Sequence, residues 1–145
     1  MTTIAYRDGI MAADTQLTTA DRIFRTEKIL RLPDGSLFAG AGGFTDVIKV
    51  RTWVADGCPD EMPELSENAD IECLWVKPDG NIFLLDKEME LMAVCSEYIS
   101  IGTGSQYALA AMYMGANAEN AVQVACEFDP STSKPIKLYS LSTDA

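Results

Sequence analysis

Apolar and polar positions alternate from the start of the chain. Ile4 and Tyr6 are interleaved with Thr3 and Ala5, Asp8-Gly9 follows, and residues 10–13 run back as Ile-Met-Ala-Ala. A period of two interrupted by Asp-Gly predicts a β-hairpin with a two-residue turn, and that hairpin ends on Asp14. Residues 28–32 read as a second strand region. Pro33-Asp34-Gly35 turns it into residues 36–41, small and apolar enough to form a buried strand, which Gly42-Gly43 then breaks. Beyond the break Val47, Val50 and Val54, with Trp53 beside them, recur at helical spacing. A helix is expected there, capped by Thr45 or Asp46 and stopped at Gly57. Its apolar face is expected to exceed what one small domain covers.

Residues 58–70 carry proline and acidic side chains without a helical period and read as a loop. Residues 71–77 and 82–85 form a predicted hairpin across Pro78-Asp79-Gly80-Asn81. Tyr98-Ile99-Ser100-Ile101 is another apolar strand, closed by Gly102-Thr103-Gly104. Ser105 can cap a helix through Tyr107, Leu109, Ala110 and Met114 to Gly115. Asn117 can cap the next, with Ala121, Val122, Ala125 and Phe128 facing inward, and residues 136–141 finish as a strand. No repeat, linker or low-complexity tract divides the chain, so residues 1–145 read as one domain. Strands at both ends, with helices gathered in separate runs, predict an α+β layered domain rather than alternating βαβ units.

Composition narrows the function more than the fold. The 145 residues are 48% apolar and 23% charged, as expected of a globular chain. A net charge of −11 argues against nucleic acid as a partner. Much of that charge is local, in a run from Asp56 through Asp60, Glu61, Glu64, Glu67 and Asp70 to Glu72. This run reads as a solvated loop, or as a docking surface for a basic partner. The four cysteines, Cys58, Cys73, Cys95 and Cys126, form no C-x-x-C pair. No zinc site, and no cofactor of any kind, is expected. Without a recognisable signal peptide or bilayer-length apolar run, they are expected to be free thiols in a reducing cytoplasm, away from membranes. The chain contains no histidine. Every Ser-His-Asp, Cys-His or histidine-metal mechanism is thereby excluded, and a hydrolase built on this sequence needs another base.

Several places can carry such chemistry, and each also has a plain structural explanation. Two threonines stand directly behind Met1, so removal of that residue would expose Thr2 as the chain end, near Asp14 at the end of the returning strand. The same residues could simply start an edge strand. Lys28 at a strand start is ordinarily a solvated charge, but buried beside a nucleophile it would activate it electrostatically. Ala41-Gly42-Gly43 can be a simple turn, or can aim a backbone N–H at a developing oxyanion. Gly102-Thr103-Gly104-Ser105 can be a helix cap, an anion site or a hydroxyl placed near a site; no G-x-x-x-x-G-K-[ST] phosphate loop is present. Asp129-Pro130-Ser131-Thr132-Ser133 can be a polar helix-to-strand turn.

Taken in order, these pieces resemble the proteasome β-subunit and HslV-like peptidase family over nearly the whole chain. The most specific are Thr2-Thr3-Ile4, Ala13-Asp14, Lys28 followed by Ile29-Leu30-Arg31-Leu32, Ala41-Gly42-Gly43 with Asp46, and Ile101-Gly102-Thr103-Gly104-Ser105. The resemblance implies an N-terminal-nucleophile hydrolase: two stacked antiparallel β-sheets between helical layers, a four-layer αββα sandwich. It also implies a homo-oligomeric ring with active threonines facing an inner chamber, a polypeptide substrate and an AAA+ ATP-dependent unfoldase as partner. By position, Thr2 matches the nucleophile, Asp14 and Lys28 its charged partners, and Gly42 the oxyanion-hole amide. Thr103, where the family usually has serine, matches a supporting hydroxyl, Asp129 and Thr132 match the supporting Asp and Ser, and Thr18 the substrate-backbone contact. In this chemistry the α-amine of the threonine takes the hydroxyl proton, so histidine is not needed.

The sequence departs from the family pattern in a tighter first hairpin, in Thr103, and in the acidic loop 58–70 standing where a second long helix is usual. Two other readings stay open at this level. One is a catalytically silent assembly subunit of the same fold; the other is a hydrolase of the same class acting on small amides.

Overall fold

The computed structural model describes residues 2–141. The predicted hairpin opens the fold: β1 (Thr3–Arg7) and β2 (Ile10–Ala13) pair antiparallel, Ile4 opposite Ala13 and Arg7 opposite Ile10. Asp8 and Gly9 at the turn take φ of 51° and 80°, the left-handed pair that a two-residue turn between right-twisted strands requires. A second hairpin follows, β3 (Gln16–Thr19) with β4 (Arg22–Arg25), and it was absent from the sequence reading. Its strands carry mostly polar residues, and all four positions of β4 are exposed, so no buried face leaves a period-two signature.

The predicted strands then appear as β5 (Ile29–Arg31), β6 (Leu37–Gly42), β7 (Ile71–Val76) and β8 (Ile82–Asp86). An unpredicted β9 (Leu91–Val94) closes this sheet, whose order is β5-β6-β7-β8-β9. β10 (Tyr98–Gly102) and β11 (Lys137–Ser140) flank the first hairpin in a second antiparallel sheet, order β10-β1-β2-β11. Among the described residues the helices are α1 (Phe44–Ala55), α2 (Ser105–Tyr113) and α3 (Ala118–Phe128).

Side-chain alternation sorts these elements into layers. Ile4, Tyr6, Met11 and Ala13 of one sheet meet Leu37, Ala39, Ala41, Leu74 and Val76 of the other in a shared core. The intervening residues point away. Ala5 and Ala12 pack on Ala108, Met112, Ala121 and Val122 of α2 and α3, while Phe38, Cys73 and Trp75 pack on Val50 and Val54 of α1. The central strands of both sheets are therefore buried on both faces, and the domain is an αββα sandwich, as expected from the resemblance. The small Ala5 and Ala12 let α2 and α3 approach the first sheet closely, whereas the larger Phe38 and Trp75 fill the space under α1. Phe38 is fully buried and sits edge-on to Trp75; truncating such a side chain typically costs 3–5 kcal/mol.

Several local expectations are corrected. Gly43, not Thr45 or Asp46, occupies the N-cap of α1. Asp46 lies inside the first turn and is buried, its Oδ1 accepting from the N–H and hydroxyl of Ser66, so it pins the acidic loop instead of capping. The α1 face thought too large to cover is covered: Val50 and Val54 are buried and Val47 and Trp53 pack beside them. Ser105 is the first residue of α2, capped by Gly104. Asn117 does cap α3, accepting from the Asn120 N–H at 2.8 Å. Phe128 is exposed rather than inward and lies against Tyr107. Among the described residues no helix is long and apolar enough to cross a membrane, and all four cysteines are unpaired thiols.

Candidate active site

The two sheets bring the sequence candidates together at one end of the sandwich. Thr2 precedes β1 and is only 5% exposed. Asp14 directly follows β2, whose register against β1 sets its N–H on the Thr3 carbonyl at 3.2 Å. Lys28, just before β5, reaches across from the other sheet. Its Nζ donates to Thr2 Oγ1 at 2.7 Å and to Asp14 Oδ1 at 2.8 Å, with 7% of the side chain exposed. The lysine is thus the buried one, not a solvated strand-end charge.

Asp14 is fully buried, and four donors hold its carboxylate. Oδ1 accepts from Lys28 and from the Thr3 N–H, and Oδ2 from the N–H groups of Gln16 and Ser133. A buried carboxylate needs this full set, because an unmet lone pair there is costly. Lys28 feels opposing influences: burial pushes its pKa down, and the charge and hydrogen bond of Asp14 push it back up, with burial prevailing.

The backbone nitrogen of Thr2 faces a second group. It lies 3.3 Å from Thr103 Oγ1, which donates to Asp129 Oδ2 at 2.6 Å. The Thr132 hydroxyl donates to the same oxygen at 2.6 Å and also touches Thr3 Oγ1 at 2.7 Å. Burial pushes the Asp129 carboxyl up, but the hydrogen bonds from Thr103, Thr132 and the Ser131 N–H outweigh it and hold the pKa below the usual value. Asp129 stays an acceptor that fixes both hydroxyls. Threonine at 103 supplies the hydroxyl in the place where serine is usual in the family that the sequence resembles.

Gly42 ends β6 with φ of 116°, and a Cβ there would fall 2.0 Å from the Asp70 carbonyl oxygen. Only glycine permits this approach. Gly42 and Thr2 both line two cavities. The first, about 100 Å³, is walled by Gln16, Leu17, Lys28, Phe44, Val47 and Arg51 among others. The second, about 270 Å³, is walled by Ala41, Asp70, Glu72, Gly102 and Thr103. Thr18 is the candidate that stands apart. It is exposed on β3, accepts from its neighbour Gln16 at 3.0 Å, and lines neither cavity. Met1 lies outside the described residues.

Sequence reasoning missed Thr3, Gln16 and Ser133 as supports of this site. The Asp14-to-Gln16 contact has the i to i+2 spacing of an Asx turn and was findable; Ser133 lies 119 positions from Asp14 and left no local signal. Gly102 tests the rigidity of the arrangement. Its φ is 99°, and a Cβ would meet the Thr2 carbonyl oxygen at 2.0 Å. Gly102→Ala is expected to destabilise by about 2–4 kcal/mol in urea denaturation. Gly57→Ala is the comparator, since φ is 86° but nothing lies within 4 Å, and about 1 kcal/mol is expected.

No protein-family model and no curated protein matches the sequence. Comparison of the structures does find relatives in fold. BPH of Thiobacillus denitrificans, a beta-proteasome homologue, in complex with epoxomicin is 24% identical, with a TM-score of 0.69 over 97% of this chain and 98% of that one. A second structure of Thiobacillus denitrificans BPH matches at 24% identity and a TM-score of 0.67, over 99% of both chains. Eukaryotic HslV from Trypanosoma brucei matches at 15% identity and a TM-score of 0.69, over 95% and 97%. With the layers and sheet orders described above, these likenesses assign the chain the proteasome- and HslV-like N-terminal-nucleophile hydrolase fold.

Proposed function

We propose that this chain, as one domain of residues 1–145, is a threonine-type endopeptidase whose nucleophile is Thr2, freed by removal of what precedes it. The observation that carries the reading is the Lys28 ammonium held between Thr2 Oγ1 and Asp14 at 2.7 and 2.8 Å. A hydroxyl 2.7 Å from a buried cation is biased toward alkoxide, because the charge is worth more away from water.

The steps follow from that geometry. The Thr2 hydroxyl passes its proton to the free Thr2 α-amine, directly or through water, and Oγ1 bonds to the substrate carbonyl carbon. Charge moves to the carbonyl oxygen, where the Gly42 N–H is the assigned donor; losing such a donor typically costs about 3–4 kcal/mol of barrier. The amine then gives its proton to the departing nitrogen as the peptide C–N bond breaks, leaving an ester on Thr2. Water, deprotonated by the same amine, hydrolyses the ester. Lys28 remains protonated throughout, Asp14 orients and partly neutralises it, and Thr103, with Asp129 and Thr132 behind it, steadies the amine. An unperturbed α-amine titrates near ~8, and a neighbouring ammonium lowers that toward neutrality. The substrate main chain is assigned to the β3 side of the first cavity, where Gln16 and Leu17 form the wall and Thr18 follows.

A homo-oligomeric ring in the cytoplasm, fed by an AAA+ ATP-dependent unfoldase, completes the proposal. The face of α1 no longer supports it. Support comes instead from Ile23 and Phe24 on β4, exposed at 58% and 47%, on a two-stranded hairpin of a kind marginal by itself in water. The test of function is covalent labelling by an epoxyketone, with the adduct located by mass spectrometry. Labelling at Thr2, lost in Thr2→Ala, is expected; a trimmed protein that neither reacts nor cleaves peptides would assign it to the silent subunits. Native mass spectrometry is expected to show one closed ring species, and a strict monomer at micromolar concentration would overturn the assembly.

A further inference from the structure

The two cavities beside Thr2 are not equivalent, and the reaction tells them apart. This inference rests on the peptidase reading above. The departing nitrogen must take its proton from the Thr2 amine, so the released fragment has to leave past that nitrogen. Thr103, whose hydroxyl lies 3.3 Å from the Thr2 nitrogen, lines the second cavity and not the first. Lys28 and Gln16, on the Oγ1 side, line the first and not the second. The second cavity is therefore where the first residue beyond the cleaved bond must sit.

Thr2, Ala41, Gly42, Gly102 and Thr103 line it on the uncharged side, and Asp70 and Glu72 are its charged lining residues. No Lys or Arg lines this cavity, whereas the first contains Glu27 together with Lys28 and Arg51. Sheet register fixes Glu72 in place: it stands opposite Ala41, next to Gly42, on one side and opposite Asp86 on the other. Two carboxylates directly opposed across a strand pair repel and weaken the sheet. Neither the Glu72 nor the Asp70 carboxylate has a salt-bridge partner among the described residues. Burial first and the charge of Asp70 second push the Glu72 carboxyl up from its usual value. A local rule broken beside a nucleophile points to a partner that arrives with the substrate.

We propose that Glu72, with Asp70, is a specificity-determining residue, and that this peptidase prefers a lysine or arginine immediately after the bond it cleaves. Such a side chain enters the second cavity, places its cation between the two carboxylates and leaves the new amino terminus near the Thr2 amine. The bond forming and breaking is that of the ordinary reaction; the cation only positions it.

The test uses the trimmed, assembled protein and a peptide series differing only at that one residue: Arg, Lys, Ala and Glu. Arg and Lys are expected to exceed Glu by about tenfold in kcat/KM, with Ala between them, the size of effect that exposed ion pairs and like-charge contacts produce. In Glu72→Gln the Arg-to-Glu ratio is expected to fall roughly three- to fivefold, and in Glu72→Asp to recover most of it. Raising the salt should compress the wild-type ratio. Cleavage of all four peptides at equal rates, or a ratio untouched by Glu72→Gln, overturns this inference and leaves the peptidase reading in place. Cleavage of none of them overturns both.

Discussion

Lys28→Met is expected to abolish peptide cleavage, lowering kcat/KM by at least roughly 10³-fold, the scale on which removing a preorganised charge acts in acyl transfer. Methionine keeps the length and apolar stem of lysine and deletes only the ammonium. The lost contacts include those to Thr2 Oγ1 and to Asp14 Oδ1. The fold should survive. Asp14 keeps the three N–H donors from Thr3, Gln16 and Ser133, and the cost of burying a lysine charge disappears with the charge. A loss of about 1–3 kcal/mol is expected, less than for an uncompensated buried carboxylate. Circular dichroism and native mass spectrometry should therefore match the wild type while cleavage is gone. A variant retaining more than a tenth of the activity would remove Lys28 from the mechanism.

The same lysine gives activity and stability opposite responses to alkali. Its folded-state pKa is depressed by burial below the ordinary 10.5. The mechanism uses the protonated form, so kcat/KM should decline on the alkaline side before pH 10.5 is reached. Stability runs the other way. Below the folded-state pKa the charged lysine is the burden on the fold, and as pH climbs from there toward 10.5 the unfolded chain binds more protons and folding gains. A loss of activity in that window without a loss of stability from this group is the expected signature. A stability that falls in step with activity would place the titration elsewhere.

What could be read from the sequence followed from how strongly each element is patterned. β1, β2, β6, β7 and β10 were legible because apolar residues fill both faces of two stacked sheets, and because Asp8-Gly9 and Pro78-Asp79-Gly80 mark turns by their chemistry. β3, β4 and β9 were not, since exposed strands carry no such pattern; Leu91 and Met92 of β9 are 50% and 64% exposed. Two of the helix caps were misplaced, while Asn117 was placed correctly. Thr45, Asp46 and Ser105 are good capping types, but the caps fall on Gly43 and Gly104; Asp46 is engaged by Ser66, and a Cβ on Gly104 would fall 2.0 Å from Thr3 Oγ1. The site itself was legible only as an order of motifs. That Lys28 is buried between Thr2 and Asp14 depends on two sheets meeting, and no spacing within one strand encodes it.

The chain end decides whether this geometry can act at all. With Met1 or anything else ahead of Thr2, the Thr2 nitrogen is an amide, its lone pair delocalised into the carbonyl, and it can donate to Thr103 Oγ1 but cannot take the hydroxyl proton. Lys28, Asp14 and Gly42 would stand unchanged around a nucleophile without a base. The extended form is expected to be inert, and trimming to Thr2 is expected to raise kcat/KM by roughly 10²–10⁴-fold, the usual contribution of a positioned general base. The amine so released already has its seat, since the nitrogen lies 3.3 Å from a hydroxyl that Asp129 fixes at 2.6 Å. Threonine is small enough for a methionine aminopeptidase to remove the residue before it, so intact-mass measurement before and after that treatment, with cleavage followed in parallel, separates the forms. An epoxyketone bonds to both hydroxyl and amine, and should form its full adduct with the trimmed form alone. Equal cleavage by the two forms would refute the amine as base, and inert, fully trimmed rings would make this chain a structural member of its fold.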